Sequence, residues 1–152
     1  HLAVTHLVPR HSPHPVIGDV LRFTLTYNPG AAFGMHLGDA SRWIFMGLTV
    51  LIVGFLVRLY QSTPASERTL RLAVATVIGG ALGNFIDRIR VPEGVVDFID
   101  VGVGDVRFWT FNVADMAVSV GAGFLVWALW RYESRLHAEQ QRAERDGHLG
   151  LP

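Results

Sequence analysis

Three stretches without any ionisable side chain dominate the pattern of apolar and polar positions along the chain. They cover residues 43–57, 72–86 and 116–130, and each is 15 residues long. As α-helices they would extend about 22 Å, less than the roughly 30 Å hydrocarbon core of a bilayer. The residues that flank them therefore decide between buried helices and membrane spans.

Arginine and aromatic residues lie at the ends of these stretches. Arg58, Arg71 and Arg131 close three of the ends, and Tyr60 and Tyr132 follow two of them. Arginine can extend its head group to the membrane surface, where tyrosine also prefers to lie. This pattern predicts three spans. Their predicted bounds are residues 43–60, 70–87 and 114–132.

The same arginines fall on one side of the membrane if consecutive spans run in opposite directions. The positive-inside rule makes that side cytoplasmic, together with the tail over residues 133–152, in which residues 133–145 are predicted to form a charged helix and residues 148–152 to be frayed. Residues 10–42 and 88–112 are then extracytoplasmic. Within them, β-branched and aromatic residues at 20–27, 95–101 and 106–111 predict short strands. We therefore expect a single membrane-embedded domain over 1–152 with a small extracytoplasmic β element.

Composition supports a membrane protein and excludes several kinds of chemistry. Apolar residues make up 50% of the chain and charged residues only 17%, where soluble domains carry about a quarter. The net charge is zero, which argues against a nucleic-acid partner. There is no cysteine, so disulfides, thiolate metal sites and a cysteine nucleophile are excluded.

Small residues recur at four-residue spacing in two of the predicted spans. Gly79 and Gly83 form one such pair, and Ala117 and Gly121 form another. Small faces of this kind let helix backbones approach closely in lipid. We interpret them as helix-packing surfaces.

Carboxylates and asparagines cluster at the outer ends of the second and third predicted spans and in the segments beside them. They are Asn28, Asn84, Asp87, Arg88, Asp97, Asp100, Asn112 and Asp115. Two carboxylates at a low-dielectric boundary cannot both ionise easily, so one keeps its proton while the other can activate water. The helix start at Asp115 favours its ionised form. Its partner is Asp87, Asp97 or Asp100, and the residues alone do not decide which.

Other features of the sequence suggest alternatives to a carboxylate dyad. Residues 102–105 (GVGD) match the G-x-G-D pattern of presenilin-like proteases but lie in a polar turn. His11 and His14 suggest zinc, yet no H-E-x-x-H helix is present. The rival from another class is a small non-enzymatic membrane protein, a chaperone or transporter subunit whose acidic cluster binds a partner.

Four blocks of the sequence resemble the signature blocks of bacterial signal peptidase II, the lipoprotein signal peptidase. They are YNPGAAFGM (27–35), GGALGNFIDRIR (79–90), GVVDFIDV (94–101) and FNVADMAVSVGA (111–122). They occur in the family's order and spacing, and the similarity runs from about residue 7 to residue 130. The resemblance implies an aspartic endopeptidase that removes signal peptides from prolipoproteins by cleaving before the lipidated cysteine.

The resemblance also implies a role for individual residues. The catalytic dyad corresponds to Asp97 and Asp115, and Asp87 and Ala114 correspond to positions of structural support. The positions that correspond to substrate-binding ones are Asn28, Gly30, Asn84, Arg88 and Asn112. No metal or other cofactor is expected.

The implied fold is a four-helix transmembrane bundle with a small extracytoplasmic β-cradle. Family members begin with a transmembrane helix that bears a D-x-x-T-K type motif, whereas this chain opens at HLAVTHL. We therefore expect three complete spans and a remnant of the first. The implied partners are diacylglyceryl-prolipoproteins, membrane lipids and cyclic peptide inhibitors of the globomycin type. The implied location is the bacterial inner membrane, with the active site at the extracytoplasmic face.

Overall fold

The structure, a computed structural model, describes residues 2–29 and 40–148. It combines three long helices with a short one and a small antiparallel sheet, which confirms the predicted mainly α membrane fold. In chain order the elements are α1 (Leu2–His6), β1 (His14–Ile17), β2 (Leu21–Asn28), α2 (Ser41–Ser62), α3 (Arg68–Arg90), β3 (Val95–Val103), β4 (Val106–Arg107) and α4 (Val113–His148).

The helices α2, α3 and α4 are each long and apolar enough to cross a membrane, with mean hydropathies of 2.0, 1.5 and 1.6 over their most apolar windows. At 22 residues, α2 extends about 33 Å. Its large apolar side chains are mostly exposed, Leu51 at 72% and Phe55 at 67%. A water-soluble bundle would bury such residues, so this surface fits contact with lipid.

Glycines allow the close contact between α3 and α4, the most extensive helix pair of the fold. A Cβ at Gly80 would lie 2.6 Å from the Ala114 carbonyl oxygen, and one at Gly83 would lie 3.1 Å from the Ala114 Cβ. On α4, a Cβ at Gly121 would lie 2.9 Å from Val77. The predicted contribution of Gly79 is wrong, because a Cβ there would meet nothing. The contact follows one helix face, and Gly79 points about 100° away from Gly80.

The buried apolar core lies at the end of the bundle opposite to the sheet. It contains residues from the second half of α2, the first half of α3 and the middle of α4. They are Leu56, Leu70, Ala73, Val74, Val77 and Ala128. At the other end of the bundle, where α3 ends and α4 begins, buried polar side chains take the place of this core.

The four strands form one antiparallel sheet in the order β1-β2-β3-β4. Two of them follow the predicted segments closely. The prediction of a strand over 106–111 is too long, since β4 ends at Arg107 and Phe111 makes only an isolated bridge with Ile99. β1 was not predicted; it is four residues long, contains Pro15 and is exposed throughout, so it lacks the alternation that marks a strand.

β3 connects the sheet to the helix ends. Thr26 lies opposite Asp97 in the register with β2, and Arg22 lies opposite Asp100. Because an odd spacing along a strand places side chains on opposite faces, Asp97 and Asp100 face different surroundings. Gly94, just before β3, has φ +117°, and a Cβ there would lie 2.1 Å from the Asn28 carbonyl oxygen. This close approach holds Asn28 beside the start of β3.

Candidate functional site

The first turn of α4 orients Asp115 through a reciprocal pair of hydrogen bonds. Asn112 immediately precedes the helix, and its Oδ1 accepts a bond of 3.0 Å from the Asp115 backbone N–H. In return, Asp115 Oδ2 accepts a bond of 3.1 Å from the Asn112 backbone N–H. This is a capping box built from asparagine and aspartate. It fixes the Asp115 carboxylate at the helix start.

A second asparagine reaches the same carboxylate from the neighbouring helix. Asn84 lies near the end of α3, and its Nδ2 donates to Asp115 Oδ1 at 2.7 Å. The close contact of Gly83 with Ala114 brings the two helices near enough for this bond. Both oxygens of Asp115 are therefore occupied by N–H donors.

Asp97 enters the site from β3 and is 3% exposed. Its Oδ1 accepts a bond of 2.7 Å from Asn112 Nδ2, and Asn28 forms a second side-chain hydrogen bond with it. Burial raises the pKa of Asp97 to about 6, and the Asp115 charge adds to this, while the bonds from Asn112 and Asn28 and the Arg88 charge oppose it. A carboxyl with this pKa can hold or release a proton near neutral pH.

The two carboxylates are connected through the Asn112 side chain. Asn112 Nδ2 bonds both Asp97 Oδ1 and, at 3.1 Å, Asn84 Oδ1. Asp97, Asn112, Asn84 and Asp115 thus form one hydrogen-bonded group, which we term the amide-linked pair. Two carboxylates held this way can act as general acid and general base on a bound water.

Two further predicted residues of α3 surround this group. Arg88 donates from Nη1 to the Asn84 carbonyl oxygen at 3.3 Å and stacks over the Phe45 ring at 5.4 Å. Its buried Nε has no hydrogen-bond partner within the described residues. Asp87 Oδ2 accepts a bond of 3.2 Å from the Val96 backbone N–H, so it ties the end of α3 to β3.

A largely apolar cavity of about 790 Å³ opens beside the amide-linked pair. Its walls come from α1, the sheet and the facing ends of α3 and α4. The lining includes Leu7, Phe23, Asn84, Asp87, Phe98 and Asn112. His6 of α1 also lines it, a residue that sequence reasoning did not select and that no sequence pattern marked. The cavity is large enough for an extended peptide segment or part of an acyl chain.

Not every predicted residue joins this site. Asp100, one of the three open partners of Asp115, instead lies against Arg22 and Arg107. Asp87 contacts the backbone of β3 rather than Asp115. Gly30 lies outside the described residues. Within residues 2–29 and 40–148, no three histidine, aspartate or glutamate side chains converge as metal ligands.

The chain is similar to proteins of known family and fold. The sequence model described as signal peptidase (SPase) II matches residues 1–131. The lipoprotein signal peptidase of Moorella thermoacetica is 44% identical over 116 residues, which cover 76% of this chain and 72% of that protein. That of Halothermothrix orenii is 42% identical over 120 residues, covering 78% and 77%. A solved bacterial membrane enzyme superposes with a TM-score of 0.74 at 30% identity, covering 87% of this chain and 79% of that one.

Proposed function

Because the chain belongs to the signal peptidase II family, we propose that it is an aspartic endopeptidase that removes signal peptides from prolipoproteins. The proposed substrates carry a diacylglyceryl-modified cysteine, and the cleaved bond lies just before that cysteine. The observation that carries the aspartic assignment is the Asn112 side chain, which contacts Asp97 and belongs to the same capping box as Asp115.

In the proposed reaction, Asp97 and Asp115 share one proton and hold one water molecule. The ionised carboxylate takes a proton from the water as its oxygen attacks the scissile carbonyl carbon, and the protonated carboxyl donates to the carbonyl oxygen. When the C–N bond breaks, the leaving nitrogen takes a proton and the dyad returns to its singly protonated state. One water is consumed, and no cofactor takes part.

The surroundings of the amide-linked pair support a membrane-anchored substrate. The cavity is lined mainly by apolar side chains and lies at the ends of α3 and α4, two helices long enough to span a bilayer. Acyl chains can therefore remain in lipid while the peptide reaches the carboxylates. Arg88, whose buried Nε lacks a partner within the described residues, is assigned to carbonyl oxygens of the peptide or the lipid. We place this site at the extracytoplasmic face of the inner membrane.

A cleavage assay with matched variants tests the proposal. The protein is reconstituted in vesicles with a diacylglyceryl-modified prolipoprotein, and the products are identified by mass spectrometry. Asp97→Asn and Asp115→Asn should each lower turnover at least about 10³-fold in folded protein. Thr76→Ala on α3 is the control, since the Thr76 hydroxyl donates to the Leu72 carbonyl oxygen of its own helix, away from the amide-linked pair.

Two outcomes contradict the proposal. Full turnover in either aspartate variant would remove the dyad assignment. Binding of the lipidated substrate without any cleavage by the unaltered protein would favour the non-enzymatic alternative.

A further inference from the structure

The side-chain hydrogen bonds of Asn84 and Asn112 are largely committed to the two aspartates and to each other. Asn112 Nδ2 donates to Asp97 Oδ1 and Asn84 Oδ1, and its Oδ1 accepts from the Asp115 N–H. Asn84 Nδ2 donates to Asp115 Oδ1. These carboxamides are thus poorly placed to bind the peptide backbone of a substrate, which is the role that the family resemblance implies for them.

The two aspartates differ in their hydrogen-bond donors and in their burial. Asp115 accepts an N–H on each oxygen and lies in the first turn of α4, where the helix dipole favours a negative charge. Asp97 lies on strand β3 and is almost fully buried. Burial disfavours a charge on Asp97, and the donors and dipole favour one on Asp115.

The charged groups around the pair do not reverse this difference. Arg88 of α3 faces both carboxylates, so its charge favours ionisation of either one. Asp87 of the same helix bonds the Val96 N–H. His6 of α1 lines the cavity beside the pair, and its Nδ1 is hydrogen-bonded to the Leu2 carbonyl oxygen of its own helix.

We propose that Asn84 and Asn112 are positioning residues that hold the resting dyad with Asp115 ionised and Asp97 protonated. The inference rests on the proposed function and adds the direction of proton transfer to it. Asp115 takes the proton from water, and Asp97 donates its own proton to the carbonyl oxygen. On collapse, Asp115 gives its proton to the leaving nitrogen, the C–N bond breaks, and one hydroxyl of the tetrahedral intermediate returns its proton to Asp97 as it becomes the carbonyl of the new carboxylic acid.

The alkaline limb of the pH profile of kcat/KM reports the proton of Asp97. Activity falls as Asp97 loses this proton, so the alkaline limb of the free protein is expected near the pKa of Asp97, about 6. The apparent value belongs to the coupled pair of carboxyls, and Asp97 dominates this limb in the proposed state.

Two asparagine substitutions should differ in their effect on the alkaline limb. Asn112→Ser keeps an oxygen to cap α4 and the backbone N–H to Asp115 but removes the donor to Asp97. The alkaline limb should then move to higher pH by roughly one unit. Asn84→Ala removes a donor to Asp115 and none to Asp97, so it should lower turnover and move the alkaline limb less than Asn112→Ser does.

Controls separate positioning from folding. Asn112→Ala also removes the cap, so it should lower the melting temperature where Asn112→Ser does not. Thr76→Ala should leave the alkaline limb unchanged. If Asn112→Ser lowers turnover without moving the alkaline limb, or if Asn84→Ala moves that limb equally far, the proposed roles are wrong.

Infrared difference spectra test the protonation state without any turnover. At about pH 5, where ordinary carboxyls are mostly ionised, the C=O stretch of a protonated acid should be lost in Asp97→Asn and kept in Asp115→Asn. The reverse pattern would overturn the inference even if the protein cleaves its substrate. The expected pattern in a protein that does not cleave would leave the inference standing and remove the proposed function.

Discussion

Asp97 and Asp100 lie three positions apart on β3, and both are buried, at 3% and 5% exposed. Their partners differ in charge. Asp97 is hydrogen-bonded by the neutral amides of Asn28 and Asn112, whereas Asp100 accepts bonds from Arg22 at 3.0 Å and Arg107 at 2.5 Å. Two aspartates on one strand therefore have different surroundings, one with amide partners and one with arginine partners.

The difference in partners changes the pKa of each carboxyl in the opposite direction. Burial without a contacting cation raises the pKa of Asp97 to about 6. For Asp100, burial acts in the same direction, but the hydrogen bonds from Arg107, Thr24 and Arg22 outweigh it and lower the pKa. Asp100 therefore stays charged and ties the sheet together, while Asp97 can take up or release a proton near neutral pH.

The largest expected effect on stability comes from Asp100→Asn. It removes the buried carboxylate that Arg22 and Arg107 share and leaves them the half-exposed Asp19 as a common partner. Because their side chains are 21% and 15% exposed, we take the low end of the range for broken buried ion pairs, about 3 kcal/mol. Turnover per folded molecule should stay within about threefold, since Asp100 contacts no member of the amide-linked pair.

Chemical denaturation in detergent measures this loss, with Asp105→Asn as the control. Asp105 is exposed in the turn between β3 and β4, so its substitution should change little. A folded Asp100→Asn protein that has lost its peptidase activity would contradict the division of roles between the two aspartates.

Asp97→Asn should stabilise the protein by about 2–3 kcal/mol at pH 8, since each unit of pKa shift corresponds to roughly 1.36 kcal/mol. The folded pKa of Asp97 lies above its unfolded value of about 3.8, so its contribution to stability is complete below pH 3.8 and is lost as the pH rises through about 6. Asparagine never ionises and avoids this loss. The denaturation midpoints of the two proteins should therefore coincide near pH 4 and separate by pH 8, and a constant difference would contradict the burial argument.

The fold was largely predictable because long charge-free runs and β-branched segments are local signals. β1 was not predicted because a four-residue, exposed strand that contains Pro15 shows no alternation of apolar and polar residues. Its pairing with β2 depends on tertiary contacts that the local sequence does not show. β4 was predicted too long because Phe108 and Trp109 fit a strand by residue type but leave the sheet after Arg107.

The residues of the site could be predicted from the pattern of the sequence, but the aspartate that pairs with Asp115 could not. The polar residues at the helix ends could be selected from the sequence, yet the partner of Asp115 depends on which face of β3 meets the start of α4. The odd spacing of Asp97 and Asp100 shows only that both cannot face it. Strand register and the crossing of α3 with α4 decide the rest, and neither is encoded in a local pattern.

Arg107→Gln should cost about 1.5 kcal/mol at pH 7, because Asp100 keeps Arg22 and Thr24 as partners. The difference from the unaltered protein should shrink on acidification. A lowered folded pKa contributes stability that is present above the unfolded value of 3.8 and is lost as the pH falls through the folded pKa. Denaturation at pH 7 and pH 3 measures it.

The matched control for Arg107→Gln is Arg10→Gln. Arg10 pairs with Glu93 at 2.8 Å, but both side chains are nearly half exposed. Its substitution should therefore change stability much less, since solvent screens exposed ion pairs. Equal losses of unfolding free energy in the two arginine variants would show that the burial of Asp100 does not strengthen its ion pair with Arg107.

Asp87→Asn should have the smallest effect on stability, below about 1 kcal/mol, because the amide oxygen of asparagine can still accept the Val96 N–H bond. Asp87→Ala removes that acceptor and should cost about 1–2 kcal/mol, since it leaves a backbone donor unpaired where α3 meets β3. Both changes act on the junction that carries Asp97 toward α4, so turnover should fall further in Asp87→Ala than in Asp87→Asn. If Asp87→Asn instead abolishes turnover in a stable protein, the charge of Asp87 acts on the dyad, and structural support does not describe its role.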